Sequence, residues 1–455
     1  MAGRARVTVA VLMVLSLALM ACGNSGDDDT STPTSDRGGG GGGPVSEAER
    51  DTFEPIEGVP GVTDDAITYA VIGVEANNPL GICILDCYRA GIQAYFDHRN
   101  AEGGIYGREL RIGPVLDDEV AQNQARALEV TSSDDVFGVF NAPLVASGFA
   151  DLDEAGIPTY SWGIHGPEAA GREAIFPSIA PLCGDCLLRS VPYAAQHAGG
   201  TRVATLGYGA TENSRDCANA SAASIEEYGA DLGLESVYVN DSLAFGLPNG
   251  IAPEVTAMKD EGVDFIAGCL DLNGMKTLAE ELERQGMGEV PMYHPNSYDQ
   301  RFIRESGDLF EGDIVLAQFL PFEAERTEAL DAFLAQMEEN GEEPSELAMV
   351  GWINADAAFT GLLAAGPEFD RESVIAGLNS ITDYDAGGLI NPIDWTTQHT
   401  PPEGPTNGYA RECAALVEVV DGEFRTVAPP DRPWLCWDND DPGWHDPEPT
   451  SFADD

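Results

Sequence analysis

The sequence predicts an α/β protein with two doubly wound parallel-sheet lobes that are joined by a multi-strand hinge. Short apolar runs of strand character alternate with helical patterns along most of the chain. At 455 residues, the chain is too long for one hydrophobic core, so two domains are expected. The alternation starts again near Cys183, and this restart marks the beginning of the second lobe.

The first βαβ unit spans Ala66 to Asp118. Its apolar run at 67–74 is typical of a buried strand, and apolar residues then recur at helical spacing. Gly103 and Gly104 end that helix, and a second strand begins near Leu110. A unit of this kind nucleates a parallel sheet.

The composition argues against nucleic acid as a partner. The formal net charge is −55, and the chain has only two lysines, Lys259 and Lys276. Phosphate binding needs clustered Lys and Arg side chains, which such a chain cannot supply. An acidic ligand-binding surface would be one interpretation of the charge. We favour a solvated surface that serves solubility or salt tolerance.

Residues 1–22 predict export and attachment to a membrane by lipid. Arg4 and Arg6 precede an apolar run from Val7 to Ala21, which suits a signal peptide better than a membrane span. The run ends in L-M-A-C, which resembles a bacterial lipobox. The resemblance implies that Cys22 becomes the lipid-modified amino terminus. An ordinary signal peptide with an incidental cysteine is the alternative.

Residues 23–64 are predicted to form a disordered tether. Six consecutive glycines, Gly38 to Gly43, and a run rich in Ser, Thr and Pro cannot bury a core. No later segment is expected to span a bilayer. The folded part would therefore be held by lipid alone at the outer face of the bacterial cytoplasmic membrane.

Eight cysteines besides Cys22 predict disulfides, because the chain is exported and their number is even. We favour Cys413–Cys436 and Cys217–Cys269, which leaves Cys83–Cys87 and Cys183–Cys186 as local loops. A bridge between Cys83 and Cys87 requires a loop or a frayed first turn, because Cβ atoms four residues apart in an intact helix are about 5–6 Å apart. A redox-active C-x-x-C pair and a four-cysteine zinc site are the alternatives.

Residues 100–110 read N-A-E-G-G-I-Y-G-R-E-L, and Asp117-Asp118 follow shortly after them. This pattern resembles the first lobe of the periplasmic binding proteins for leucine, isoleucine and valine. The later phrases D-E-A-G-I-P, E-G-V-D-F-I and L-E-R-Q-G are also family-like. The resemblance covers about residues 64–427. It implies the periplasmic binding protein type I fold and a solute receptor for an ABC importer.

Domain boundaries follow from the alternation and the resemblance. Residues 65–182 and 314–396 are assigned to the first lobe, and residues 183–313 and 397–428 to the second. Within this scheme, Ile314 to Leu320 is expected to be the strand that returns to the first lobe. Residues 429–455 are treated as a separate acidic tail rich in Trp and Pro.

The loops that follow the carboxyl ends of the strands are the expected binding site. In doubly wound sheets these loops converge, and two facing lobes would bring both sets into one cleft. The candidate ligand-binding residues are Asn77, Asn141, Ala142, Trp162 and His165 in the first lobe and Tyr208, Asp271 and Tyr298 in the second.

The resemblance implies roles for these positions that the sequence meets only in part. Amino-acid-binding members hold the ligand carboxylate with hydroxyl and backbone N–H groups of the first lobe, and the ammonium with an acid of the second. Here Ala142 stands where a hydroxyl residue is expected, and Asp271 lies near the acidic position. Asn141 could instead cap a strand end, and Trp162 could belong to the core.

An enzyme is not expected, because G-x-S-x-G, Walker-type and H-E-x-x-H motifs are absent. No cofactor and no metal ion are expected either. The predicted function is the capture of a small polar ligand, such as an amino acid or amide, and its delivery to an ABC permease by a monomeric lipoprotein. The alternative is a ligand-sensing co-receptor of the same fold that acts on a membrane signalling protein.

Overall fold

The structure, a computed structural model, describes residues 52–178, 186–400, 404, 406–407 and 409–453. The signal peptide with Cys22, most of the predicted tether and Cys183 lie outside these residues. Their assignments therefore stay predictions.

The first sheet consists of five parallel strands. They are β1 (Ala66–Gly73), β2 (Glu109–Asp117), β3 (Gly138–Ala142), β4 (Thr159–Ser161) and β5 (Ile175–Pro177). Their order is β2-β1-β3-β4-β5. In β1, Tyr69 and Val71 join one apolar core, whereas Ala70 and Ile72 join another on the opposite face. Burial on both faces explains the continuous apolar run.

The second sheet contains the other described strands. They are β6 (Arg202–Tyr208), β7 (Glu235–Leu243), β8 (Phe265–Cys269), β9 (Met292–His294), β10 (Ile314–Ala317), β11 (Arg411–Val420), β12 (Glu423–Thr426), β13 (Trp434–Asp438) and β14 (Glu448–Thr450). The order is β14-β13-β11-β10-β9-β8-β6-β7, and β12 also pairs with β11. Strands β6 to β10 are mutually parallel, and β11 to β14 add an antiparallel extension.

Helices pack on each sheet and define two lobes. The first lobe has α1 (Leu85–Ala101), α2 (Asn123–Thr131), α3 (Phe149–Glu154), α4 (Gly166–Ala169), α10 (Glu328–Asn340), α11 (Glu346–Ala365), α12 (Arg371–Leu378) and α13 (Trp395–Gln398). The second lobe has α5 (Ser190–His197), α6 (Glu212–Leu232), α7 (Ala252–Glu261), α8 (Leu272–Arg284), α9 (Gln300–Ser306) and the 3-10 helix Gly307–Phe310.

The chain passes between the lobes three times, after β5, after β10 and after α13. The strand at Ile314 was predicted to lie in the first lobe, and this assignment was wrong. Strand β10 pairs in parallel with β9 and antiparallel with β11, so it belongs to the second sheet. The return comes after it, where the Leu320 N–H donates to the Leu389 carbonyl. An apolar run shows that a strand is buried but does not show which sheet it joins.

The carboxyl-terminal segment is part of the second lobe rather than a separate tail. Strand β13 pairs with β11 in a register that places Cys436 opposite Cys413, and β14 pairs with β13. Trp437 is fully buried. Arg189 donates to Asn439 Oδ1 at 2.9 Å and so ties the segment to the start of α5. The many acids and prolines around these strands obscured the pattern in the sequence.

Residues 52–64 were assigned to a disordered tether, and the structure corrects this boundary. The Gly61 N–H donates to the Asp134 carbonyl at 2.8 Å, and Val62 forms a bridge with Ile67. The Arg108 guanidinium lies 4.7 Å from the centre of the Phe53 ring. This segment therefore packs on the first lobe before β1 begins.

Three disulfides join described cysteines, in the pairs that the sequence favoured. They are Cys83–Cys87, Cys217–Cys269 and Cys413–Cys436. The first joins a loop residue to the first turn of α1, which is the geometry that its spacing requires. Cys186 is also in a disulfide, and its expected partner Cys183 lies outside the described residues. No group of three His, Cys, Asp or Glu side chains in the described ranges could hold a metal ion.

Helix α11 is long and apolar enough, by length and composition alone, to cross a membrane. No segment of this kind was expected after the signal peptide. Most of it is buried within the protein. Gly351 lies against the backbone of α1, where an added Cβ would be 2.2 Å from the Tyr88 carbonyl oxygen. Burial on nearly all sides accounts for its composition.

Candidate functional site

The two lobes meet along the edges where their parallel strands end. Loops follow β1, β3 and β4 in the first lobe and β6, β8 and β9 in the second. One continuous apolar cluster contains Trp162 from the first lobe and Tyr208 and Tyr298 from the second. The predicted loop sets therefore face each other, as doubly wound sheets require for a ligand site.

Two hydrogen bonds connect these loops directly. Asn213 Nδ2, at the start of α6, donates to the Ile164 carbonyl at 2.6 Å. Asn273 Nδ2, at the start of α8, donates to the Pro79 carbonyl at 3.3 Å. Gly81 lies so close to Asn273 that an added Cβ would be 2.5 Å from Nδ2. These contacts hold the lobes together at the rim of the site.

Asn77, Asn141 and Ala142 occupy different environments in the first lobe. Asn77 is exposed in the loop after β1, whereas Asn141 and Ala142 are fully buried at the end of β3. Asn141 Oδ1 accepts a hydrogen bond from Asn123 Nδ2 at 3.0 Å, and Asn123 Nδ2 also donates to Asp118 at 3.2 Å. Asn141 thus belongs to a polar network inside the lobe, while its own Nδ2 has no partner among the described residues.

Trp162 and His165 follow β4 and are both buried. The indole Nε1 of Trp162 has no hydrogen-bond partner among the residues the structure describes. His165 Nε2 lies 2.8 Å from the Pro143 carbonyl, which can only accept, so the proton is on Nε2. Burial lowers the pKa of His165, which keeps the ring neutral and leaves Nδ1 as an acceptor.

Tyr208 and Asp271 form a pair in the second lobe. The Tyr208 hydroxyl donates to Asp271 Oδ2 at 2.7 Å, and burial followed by the Asp271 charge raises the pKa of the tyrosine. Asp271 Oδ1 caps α8 by accepting from the backbone N–H groups of Asn273 and Gly274. Both carboxylate oxygens are therefore already used within the lobe.

Tyr298 lies at the second passage between the lobes. Its hydroxyl donates to Glu323 Oε2 at 2.6 Å and accepts from the Phe322 N–H at 2.7 Å. Its ring packs against Phe319 and Phe424. The side chain is buried in the hinge region, with its polar atom satisfied there.

A surface concavity of about 870 Å³ lies elsewhere on the first lobe and is lined in part by Arg371, Trp395 and His399. Its other lining residues include Gly156 and Glu173, which precede β4 and β5. It therefore lies at the amino ends of the strands. We place the candidate site at the opposite, carboxyl edge, where the loops of both lobes meet.

The family model described as "Periplasmic binding protein" matches residues 84–423, which is most of the chain. The chain belongs to the periplasmic binding protein family. This family consists of solute-binding proteins, and the two lobes with three connections are arranged as expected for its type I fold. A comparison with curated proteins finds no match.

Solved structures support the fold of this periplasmic binding protein. A branched-chain amino acid ABC transporter protein from Thermus thermophilus with bound valine is 16% identical, covers 80% of this chain and 95% of its own, and has a TM-score of 0.63. A leucine-binding protein from Thermotoga maritima is 17% identical, and the match covers 82% of this chain and 99% of that protein, with a TM-score of 0.61. An R. palustris solute-binding protein in complex with benzoate is 14% identical, and the match covers 86% of this chain and 98% of that protein, with a TM-score of 0.60.

Sequence reasoning missed several residues of this periplasmic binding protein at the lobe boundary. Asn213 and Asn273 lie at the starts of α6 and α8, directly after strand ends that were predicted, but neither was singled out. Glu346 and Ser297 were not considered, although both are buried and carry oxygen atoms without a partner in the described chain. A charged residue that begins an otherwise apolar helix was the one available signal for Glu346.

Proposed function

We propose that this protein captures a small polar ligand between its lobes and delivers it unchanged to an ABC permease. The observation that carries the proposal is the direct contact between the two sets of loops, including the hydrogen bond from Asn273 to Pro79. A ligand that touches both lobes favours their closed arrangement by its differential affinity for it. The permease could then distinguish loaded from empty protein.

Amino acids, amides and related compounds are the ligand class we propose. The named neighbours that hold valine and benzoate lend support, since each pairs a small apolar body with a polar group. Trp162 and Tyr208 offer aromatic surface for such a body in this chain. We propose further that the protein is a monomer, and that Cys22 carries a lipid anchor at the outer face of the cytoplasmic membrane.

Thermal unfolding of the purified protein with a panel of amino acids, amides, urea, short organic acids and aromatic acids tests the proposal. A ligand at 100 times its Kd should stabilise the folded state by about 2.7 kcal/mol. Because the net charge is −55, each ligand is compared with sodium chloride at equal ionic strength. If the whole panel gives no shift beyond the salt control, the proposal fails.

A further inference from the structure

The carboxyl-terminal segment, residues 429–453, lies beyond the residues that the family model matches, which end at 423. Its two strands are fixed to the second lobe. The Cys413–Cys436 disulfide lies within the pairing of β11 with β13, and β14 pairs with β13 in turn. The Phe452 ring, just after β14, packs against the Trp434 ring with the centres 5.4 Å apart. The segment is therefore held by the second lobe along its whole described length.

The same segment contacts each of the three connections between the lobes. The first connection ends at Arg189, which donates to Asn439 Oδ1 at 2.9 Å. In the second connection, the Glu325 N–H donates to the Pro430 carbonyl at 2.8 Å. In the third, Asn439 Nδ2 donates to the Tyr409 carbonyl at 2.9 Å. Because a change in the angle between the lobes bends these connections, contacts that hold them in place resist the change.

The end of the segment reaches the first lobe itself. Gly388 lies between α12 and α13, and an added Cβ at this position would be 2.7 Å from both the Cα and the N atom of Ala453. The loop that contains Gly388 is fixed to the first lobe, since the Tyr384 hydroxyl donates to the Ile353 carbonyl of α11 at 3.0 Å. Backbone that the second lobe holds is thus in direct contact with backbone of the first lobe.

We infer that residues 429–453 form a strap that holds the hinge in the arrangement in which the two sets of loops touch. The contact of Ala453 with Gly388 and the hydrogen bond from Asn273 to Pro79 occur together in this arrangement. Rotation of one lobe about the connections would separate the backbones of Ala453 and Gly388 or drive them into each other. The strap therefore lowers the fraction of open molecules before any ligand binds, which is a property distinct from the proposed function.

Distances between labels in the two lobes of the ligand-free protein test this inference. Nitroxide labels are attached to non-canonical residues that replace Leu128 in the first lobe and Val239 in the second, which are each 47% exposed. Pulsed electron paramagnetic resonance then gives the distribution of distances. Deletion of residues 451–455 removes Phe452 and Ala453 but leaves β14 in place. The ratio of open to closed molecules should rise about 2- to 10-fold, because the aromatic pair and the backbone contact are lost.

Deletion of residues 454–455 alone is the matched control. It removes the same two negative charges, Asp454 and Asp455, and should leave the distances unchanged. Phe452→Ala keeps the chain length and should shift the distances in the same direction by less, so it decides the matter if the longer deletion fails to fold. Unchanged distances in the folded variants, or an equal shift in the control, would overturn the inference. Since no ligand is present, that outcome is independent of the ligand panel, whose failure would reject the proposed function alone.

Discussion

Glu346 is a buried carboxylic acid whose Oε1 has no hydrogen-bond partner among the described residues, and it makes the stability of the protein depend on pH. The pKa of Glu346 is raised from 4.5 to about 8, first by burial and then by Asp299. The folded state therefore holds this proton more tightly than the unfolded state does. Its stabilising contribution is complete below pH 4.5 and is lost as the pH rises through about 8.

Replacing Glu346 with Gln removes this dependence. The variant should gain stability relative to the parent protein, and the gain should increase by roughly 2–3 kcal/mol between pH 6 and pH 9. Urea unfolding at the two pH values, without ligand, measures the difference. Glu328→Gln controls for the loss of one negative charge, because Glu328 also begins a helix, α10, but is exposed. An equal pH dependence in the parent and Glu346→Gln would show that this carboxyl group is not buried as described.

At the scale of elements, the crossing of α1 and α11 sets where the amino end of α11 lies. An added Cβ at Gly351 would approach the Tyr88 carbonyl oxygen to 2.2 Å, and one at Gly91 would approach the Ala348 carbonyl oxygen to 1.7 Å. Backbone lies on both sides of this contact, so no side chain can move away to relieve a clash. The glycines therefore allow the close approach of the two helices near the amino end of α11, where Glu346 lies.

We expect Gly351→Ala to lower the free energy of unfolding by about 1–3 kcal/mol, because it forces the two helices apart. Gly361 provides a control in the same helix, where an added Cβ would first meet the Val374 Cγ1 atom at 3.1 Å. Gly361→Ala should cost less, since a side-chain tip can shift and alanine favours the helix. Denaturant unfolding of both variants measures the contrast. Equal losses would argue against backbone contact at the crossing.

At the scale of the whole molecule, the sequence predicts much of the fold because local patterns encode it. The buried strand β1 and the Cys83–Cys87 disulfide are examples. The sheet to which β10 belongs and the pairing of β13 with β11 depend on contacts between distant segments, which periodicity does not report. Prediction of the site residues was limited in the same way. The strand ends located the loops, but the sequence did not show that the Asp271 carboxylate accepts a hydrogen bond from the Tyr208 hydroxyl.

The most direct test of the central claim is a crystal structure of the protein with the ligand that stabilises it most. We expect one small molecule between the lobes, in contact with residues after β4 in the first lobe and after β9 in the second. A ligand bound to one lobe alone, or at the amino ends of the strands, would show that the protein does not capture its ligand between the lobes.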